Sequence, residues 1–181
     1  VQLQHAHYRA TVLHRYTDDP VGLPDVWQVY TDRQNVYETA FFGAPIIYRE
    51  GQVPDTLPIL DDDHKESIFE QDISDPTKQG FFKESLDLCL RMKELAQGIE
   101  FEGRPVRVAN YAPTGTDGCL TVGICLRGER LLSDLLVDPD YANRLMGFIT
   151  QAAINRVYAF RRYWGDESLG VGLADDSVQL I

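Results

Sequence analysis

Short apolar segments alternate with longer amphipathic segments along this chain, and that alternation limits the fold more than any other feature. Residues 44–48, 105–111 and 170–174 have the apolar character of buried strands. Apolar side chains recur at helical spacing over residues 81–96 and 139–164. Strands that alternate with helices are typical of parallel β/α units. The order predicts either an open doubly wound sheet or a closed (β/α)8 barrel.

The longest helix is marked at both ends by residues with known terminal preferences. Asp138 is a natural N-cap, Pro139 suits the first helical position, and Gly165 ends the apolar pattern. Residues 17–30 are rich in turn-forming residues, and residues 54–63 are predicted to be an irregular loop. Shorter helices are predicted over residues 1–16, 32–42, 64–69, 120–126 and 129–137.

The composition is that of an acidic globular domain. The 181 residues are 44% hydrophobic, and 17 Lys and Arg against 28 Asp and Glu give a net charge of −11. This charge disfavours nucleic acid and anionic membranes as partners, and no apolar run approaches the roughly 20 residues that span a bilayer. We therefore predict a single domain over residues 1–181 that acts on a small molecule. Its 3 cysteines are too few for a secreted disulfide framework and favour a cytoplasmic location.

The functional residues of parallel β/α folds lie in the loops at the carboxyl ends of the strands. The loop after the last predicted strand begins with Asp175 and Asp176, our candidate catalytic residues. One carboxylate would orient a ligand or exchange a proton with it; the alternative is that both acids cap the next helix. The loop after residues 105–111 adds Tyr111 and Asp117 as candidate substrate-binding residues. Its glycines would either let the backbone approach a ligand or serve a turn.

Aromatic and ligand-type residues outside those loops give weaker signals. Trp27 and Tyr30 are candidate substrate-binding residues because they could stack on a flat ligand, although single aromatic residues more often belong to a core. His5 and His7 lie on different faces of one predicted helix, so they cannot share a metal ion. The acidic residues 61–63 are typical of a solvated turn near a helix start. We therefore assign no metal ligand in this sequence.

Several segments follow one another in an order that is found in a known family. Residues 116–121 (TDGCLT), 126–129 (LRGE) and 131–135 (LLSDL) lie between a predicted strand and the long helix, and residues 173–177 (LADDS) come after it. In this order the chain resembles the uroporphyrinogen decarboxylase superfamily over most of residues 35–181. The resemblance implies a TIM-type (β/α)8 barrel of roughly twice this length. The chain would then be about the first half of a barrel, which fits a predicted strand so near its end.

The resemblance also implies an enzyme, and the family includes two activities. One is a cofactor-free decarboxylation of a tetrapyrrole in heme biosynthesis. The other is methyl transfer between corrinoids and thiols, in which His and Cys residues of the second half of the barrel hold zinc. The decarboxylase has an arginine-rich segment where residues 24–33 of this chain have one arginine and two acids, and Cys119 stands where many members have proline.

These two departures favour a methyltransferase-like member that acts on a corrinoid, a thiol or another small methyl donor. The implied cofactors are zinc and a corrinoid, and a corrinoid protein is an implied partner. Asp176 would orient the substrate or exchange a proton, and Tyr111 and Asp117 would shape the mouth of the barrel.

Two alternatives stay open. A true uroporphyrinogen decarboxylase would hold pyrrole nitrogens with Asp175 or Asp176 and would need no cofactor. A non-catalytic homologue would only bind or assemble, because an incomplete barrel leaves strand edges that a second copy of the chain, in a homo-oligomer, could cover.

Overall fold

The computed structural model describes residues 1–17, 22–33 and 36–173, and its architecture is mixed α/β. This confirms the α/β class that the sequence predicts. The strands form a three-stranded sheet and a two-stranded sheet, and the described residues close no barrel. In this part of the chain, no helix combines the length and the apolar character that a bilayer crossing requires.

The described elements are mostly helical, and the strands are short. Short 3-10 helices add Leu13–Arg15, Ser67–Glu70 and Pro76–Lys78. In chain order, the helices and strands are α1 (Gln2–Thr11), β1 (Trp27–Val29), α2 (Tyr37–Phe41), β2 (Ile46–Ile47), β3 (Asp55–Thr56), α3 (Gly80–Leu95), β4 (Glu100–Phe101), β5 (Arg104–Val108), α4 (Cys119–Arg127), α5 (Arg130–Val137) and α6 (Pro139–Trp164).

These elements belong to two compact units. The first unit consists of Val1–Asp32 and Ser85–Tyr111, and the second consists of Arg33–Glu84 and Ala112–Ile181. The first unit holds the three-stranded sheet, and the second holds the two-stranded sheet and the three consecutive helices α4, α5 and α6.

Strand β5 is the central strand of the first unit. β1 pairs with it in parallel, with Trp27 opposite Val106, and β4 pairs with it antiparallel, with Phe101 opposite Arg104. β4 and β5 are joined by Glu102 and Gly103, which both have positive φ, at 49° and 70°. Positive φ at both central residues is the requirement of a tight two-residue hairpin turn, and it explains the glycine there.

The core of the first unit is centred on Trp27. Its side chain is 2% exposed and packs with Ala10 of α1 and Val106 of β5. The rings of His7 and Phe101 contact the indole edge to face, and the indole Nε1 donates a hydrogen bond of 2.8 Å to the Phe101 carbonyl. A buried indole N–H needs such a partner, so this bond fixes the ring in place.

Helix α6 organises the second unit, because α4 and α5 both pack against it. Its ends are as the sequence predicts: the Asp138 side chain accepts a hydrogen bond from the Tyr141 N–H, Pro139 is the first helical residue, and Gly165 ends the helix with a φ of 64°. The core of the unit is formed by large apolar side chains from these helices and from α2 and α3, including Phe41, Phe82, Leu126, Leu131, Tyr141, Leu145, Ile149 and Phe160.

The strands differ from the sequence predictions. Residues 44–48 are predicted as a parallel strand, but β2 pairs antiparallel with β3, because the chain reverses through Gly51 at a φ of 72°. Residues 17–30 are predicted as turns only, yet they contain β1, whose three residues are too few to give a periodic signal. Of the strand predicted at residues 170–174, the described part (170–173) forms one parallel bridge, between Leu173 and Thr116.

Two predicted helices are also shorter in the structure. The helix predicted over residues 32–42 is α2, which is only five residues long, and the helix predicted over residues 64–69 is a 3-10 turn at Ser67–Glu70. Both are short, so their conformation depends on packing against neighbours more than on local preference.

Gly123 in α4 marks a close approach to two other helices of the second unit, α5 and α6. A Cβ at this position would lie 2.7 Å from Leu131 Cδ2 and 3.7 Å from Ile149 Cδ1, and Leu131 is fully buried. We expect Gly123→Ala to lower the free energy of unfolding by about 1–3 kcal/mol, although alanine is the better helix former.

Gly147→Ala in α6 is the matched control, since a Cβ there meets nothing within 4 Å. We expect it to raise the free energy of unfolding by about 0.5–1 kcal/mol. Urea unfolding of both variants tests the close packing, and stabilisation by Gly123→Ala would contradict it.

Candidate functional site

A cavity of about 660 Å³ lies in the second unit beside α6. One wall is the face of α6 between Ile149 and Arg161, and further lining comes from Val171 and Leu173. The remaining wall belongs to residues 113–118, which follow β5 and precede α4 and which we call the cavity loop. Its Thr114, Thr116 and Gly118 line the cavity. The size and the mostly apolar lining are typical of a site for a small organic molecule.

Arg156 of α6 holds the cavity loop from one side. Its guanidinium donates to the Pro113 carbonyl through Nε, at 2.9 Å, and to the Gly115 carbonyl through Nη2. Nη2 also lies 2.7 Å from Glu38 Oε1, and both side chains of this ion pair are only 3% exposed. The guanidinium carbon lies 5.3 Å from the ring centroid of Tyr37, within the range of a cation–π contact. The positive charge is therefore fully engaged within the protein.

Glu38 of α2 holds the same loop through its second carboxylate oxygen. Oε2 accepts hydrogen bonds from the Asp117 N–H at 2.8 Å and from Thr116 Oγ1 at 3.2 Å. Thr116 Oγ1 in turn accepts one from the Gly118 N–H at 3.1 Å. A single buried carboxylate thus sets the backbone direction at the point where the loop enters α4.

Gly115 of the loop packs against two neighbouring segments. A Cβ there would lie 3.4 Å from Tyr37 Oη and 3.7 Å from the Gly172 carbonyl oxygen. Tyr37 Oη donates to the Gly115 carbonyl at 3.1 Å, and the Thr116 N–H donates to the Gly172 carbonyl at 2.9 Å. These two hydrogen bonds hold the loop against both α2 and the segment that contains Leu173.

Burial raises the pKa of Tyr37 to about 12, and the nearby Glu38 carboxylate adds to the shift. A phenol with such a pKa stays protonated at neutral pH. Tyr37 therefore acts here as a permanent hydrogen-bond donor to the loop rather than as an acid or base.

A second buried arginine holds another irregular segment of the second unit. Arg127 is 3% exposed and donates to Asp134 through Nε at 2.7 Å, to Asp62 through Nη2 at 2.6 Å and to the Leu60 carbonyl through Nη1 at 2.9 Å. The hydrogen bond to Asp134 raises the pKa of Arg127. All of these donors are satisfied within the protein, so this cluster is structural in character.

The predicted site residues fall in different parts of the structure. Asp175 and Asp176 lie outside the described residues. Asp117 belongs to the cavity loop, where its N–H donates to Glu38. Tyr111 is in the first unit and is 8% exposed, and the buried position of Trp27 favours the core alternative for that residue.

Tyr30 also belongs to the first unit, and it is 55% exposed. Its hydroxyl donates to Gln28 Oε1 at 3.0 Å. Only Asp117 among the described candidates therefore lies in the loop that forms the cavity.

Neither Glu38 nor Arg156 is among the site residues that the sequence predicts. Arg156 carried a usable signal, because it occupies the buried stripe of α6 that also contains Ile149, Ala152 and Phe160. A charge on the apolar face of a helix needs a partner. Glu38, in a helix of five residues, offered no comparable pattern.

A comparison of the chain with protein-family models, with curated proteins and with solved structures finds no match. Within the ranges that the structure describes, no group of three or more His, Cys, Asp or Glu side chains is arranged to hold a metal ion. The candidate site is therefore described from the contacts and the lining of the cavity alone.

Arg156→Met tests the ion pair. The change leaves the Glu38 carboxylate buried without its cation, so we expect a loss of about 3–5 kcal/mol in the free energy of unfolding. The control is Arg144→Met, also in α6, whose pair with Glu66 has side chains that are 54% and 59% exposed. We expect a loss below about 1 kcal/mol there. Equal losses in the two variants, measured by urea unfolding, would contradict the role of the buried pair.

The raised pKa of Tyr37 predicts a loss of stability at high pH. The unfolded phenol ionises near 10 and the folded one near 12. The stabilising contribution is therefore complete below pH 10 and disappears as the pH rises towards 12. Between pH 9 and 11.5 we expect the unfolding free energy of the wild type to fall more steeply than that of Tyr37→Phe. Parallel pH profiles would show that the hydroxyl is not held in its protonated form.

Proposed function

We propose that this chain is part of a (β/α)8-type enzyme of the uroporphyrinogen decarboxylase superfamily and that it acts as a methyltransferase-like member. Its substrate, a thiol or another small methyl acceptor or donor, would bind in the cavity beside α6. The observation that carries the proposal is a cavity of about 660 Å³ with a mostly apolar lining, one wall of which is a loop held by a buried ion pair.

The strand pairings support the barrel part of the proposal. β1 and β5 are parallel neighbours that are distant in the chain, and Thr116 bridges Leu173 in parallel as well. Parallel pairing requires crossover connections, which in β/α folds contain helices. In the second unit, α4, α5 and α6 lie between the two bridged residues in the chain. These features are expected of consecutive β/α units, of which the described strands would supply only a part.

The lining of the cavity supports methyl transfer over decarboxylation of a tetrapyrrole. Two arginines line the cavity, and one of them, Arg156, is neutralised by Glu38. A tetrapyrrole with eight carboxylates would need many cationic groups. An apolar wall suits a methyl group, which is poorly hydrated, and a thiolate, which reacts faster when its hydrating water is excluded.

When bound as the methyl donor, a methylated corrinoid would supply an electrophilic methyl group to a thiolate and would keep the electron pair of the broken bond. The cavity would exclude water and hold the acceptor in line with the methyl group. Asp176 would accept the thiol proton, with Asp175 beside it, and Asp117 would help to shape the entrance. The described residues do not fit a zinc site.

A methyl-transfer assay tests the proposal. Under anaerobic conditions the protein is mixed with methylcob(III)alamin and 2-mercaptoethanol, and the spectrum of methylcobalamin and the methyl thioether product are followed together. We expect the protein to accelerate the transfer. Ala153→Trp, which fills the cavity from α6, should reduce the rate at least tenfold, and Gly147→Ala on the same helix should leave it unchanged.

Other results would overturn the proposal. Consumption of uroporphyrinogen without methyl transfer would favour the decarboxylase, and absence of both reactions would favour the binding or assembly homologue. If Asp176→Asn leaves the rate and its pH profile unchanged, Asp176 is not the proton acceptor.

A further inference from the structure

The polar side chains that line the cavity differ in how far their hydrogen-bonding groups are satisfied within the protein. Arg156 is paired with Glu38 and with loop carbonyls, Thr116 Oγ1 donates to Glu38, and Thr150 Oγ1 donates to the Met146 carbonyl of its own helix. The hydrogen bonds of these groups are made to other protein atoms. A ligand would therefore find few strong polar partners among them.

Arg161 differs from these groups. It lines the cavity on the last part of α6 and is partly buried. Its Nε and Nη2 both donate to the Leu169 carbonyl, at 3.1 and 2.7 Å. This forked contact holds the guanidinium in one orientation and leaves Nη1 without a hydrogen bond to the residues that the structure describes.

The charge of Arg161 is only partly balanced. Asp166 is close enough for the guanidinium to contribute to its lowered pKa, but the larger causes are the hydrogen bonds that its carboxylate accepts from the Ser168 hydroxyl and N–H. Arg161 forms no ion pair with a carboxylate of the described chain. No Asp or Glu occurs among the described residues that line the cavity.

We propose that Arg161 is a specificity-determining residue, which selects ligands with an apolar body and one anionic group. The apolar body would contact Ala153, Val157 and Leu173, and the anionic group would accept a hydrogen bond from Nη1 of Arg161. A charge-assisted bond of this kind is stronger in a partly dehydrated cavity than in water. This inference rests on the proposed function in one respect, because both require that a ligand binds in this cavity.

Two fluorescent probes with the same aromatic skeleton test it. 8-Anilinonaphthalene-1-sulfonate carries one sulfonate, and N-phenyl-1-naphthylamine is its uncharged counterpart. We expect Arg161→Gln to weaken binding of the sulfonate about five- to twentyfold, in keeping with the loss of one charged hydrogen bond. Binding of the uncharged probe should change less than twofold, and Arg161→Lys should restore much of the sulfonate binding.

Arg162→Gln is the matched control, because Arg162 is the next residue and is exposed. It removes the same net charge, so an equal effect on the sulfonate would show a general surface attraction and overturn the inference. Equal weakening of both probes by Arg161→Gln would also overturn it, since Arg161 would then shape the cavity without selecting charge. Ala153→Trp should block both probes. If it blocks neither, the cavity is not the binding site and the proposed function fails with it.

Discussion

Two charges that are almost completely removed from water hold the second unit of this protein in its working shape. Arg156 on α6 and Glu38 on α2 each would cost several kcal/mol to bury alone, so each depends on the other. Their remaining hydrogen bonds go to the backbone of the cavity loop. The loop and the ion pair therefore form together, and the cavity wall exists only in the folded arrangement that satisfies both.

The same solution occurs twice in the second unit. Arg127 donates to a carbonyl of an irregular segment and to two carboxylates. In the same way, Arg156 donates to loop carbonyls and to one carboxylate. Irregular backbone has carbonyl groups that no sheet or helix satisfies, and burying them requires donors from elsewhere. A guanidinium supplies several donors in fixed directions, which makes arginine better suited than lysine to this purpose.

Local signals in the sequence were sufficient for much of the helical part of the fold. The cap at Asp138, the proline that follows it and the glycine at 165 define α6, because these preferences act within one turn. The direction of β2 and the existence of β1 depend on pairing with distant residues, and strands of two or three residues have no period to detect. The pairing at the candidate site lies beyond local signals for the same reason, because Arg156 has its partner in a different helix that is far away in the chain.

The rigid connection between the capped start of α6 and Arg156 has an evolutionary consequence. An α-helix turns by about 100° for each residue, so inserting or deleting one residue between these points would swing the guanidinium from the core towards solvent. Length changes of about seven residues, close to two full turns, would bring it back to the same side. Homologues that keep the buried pair should therefore conserve the spacing within α6, whereas gaps should accumulate in the connecting segments.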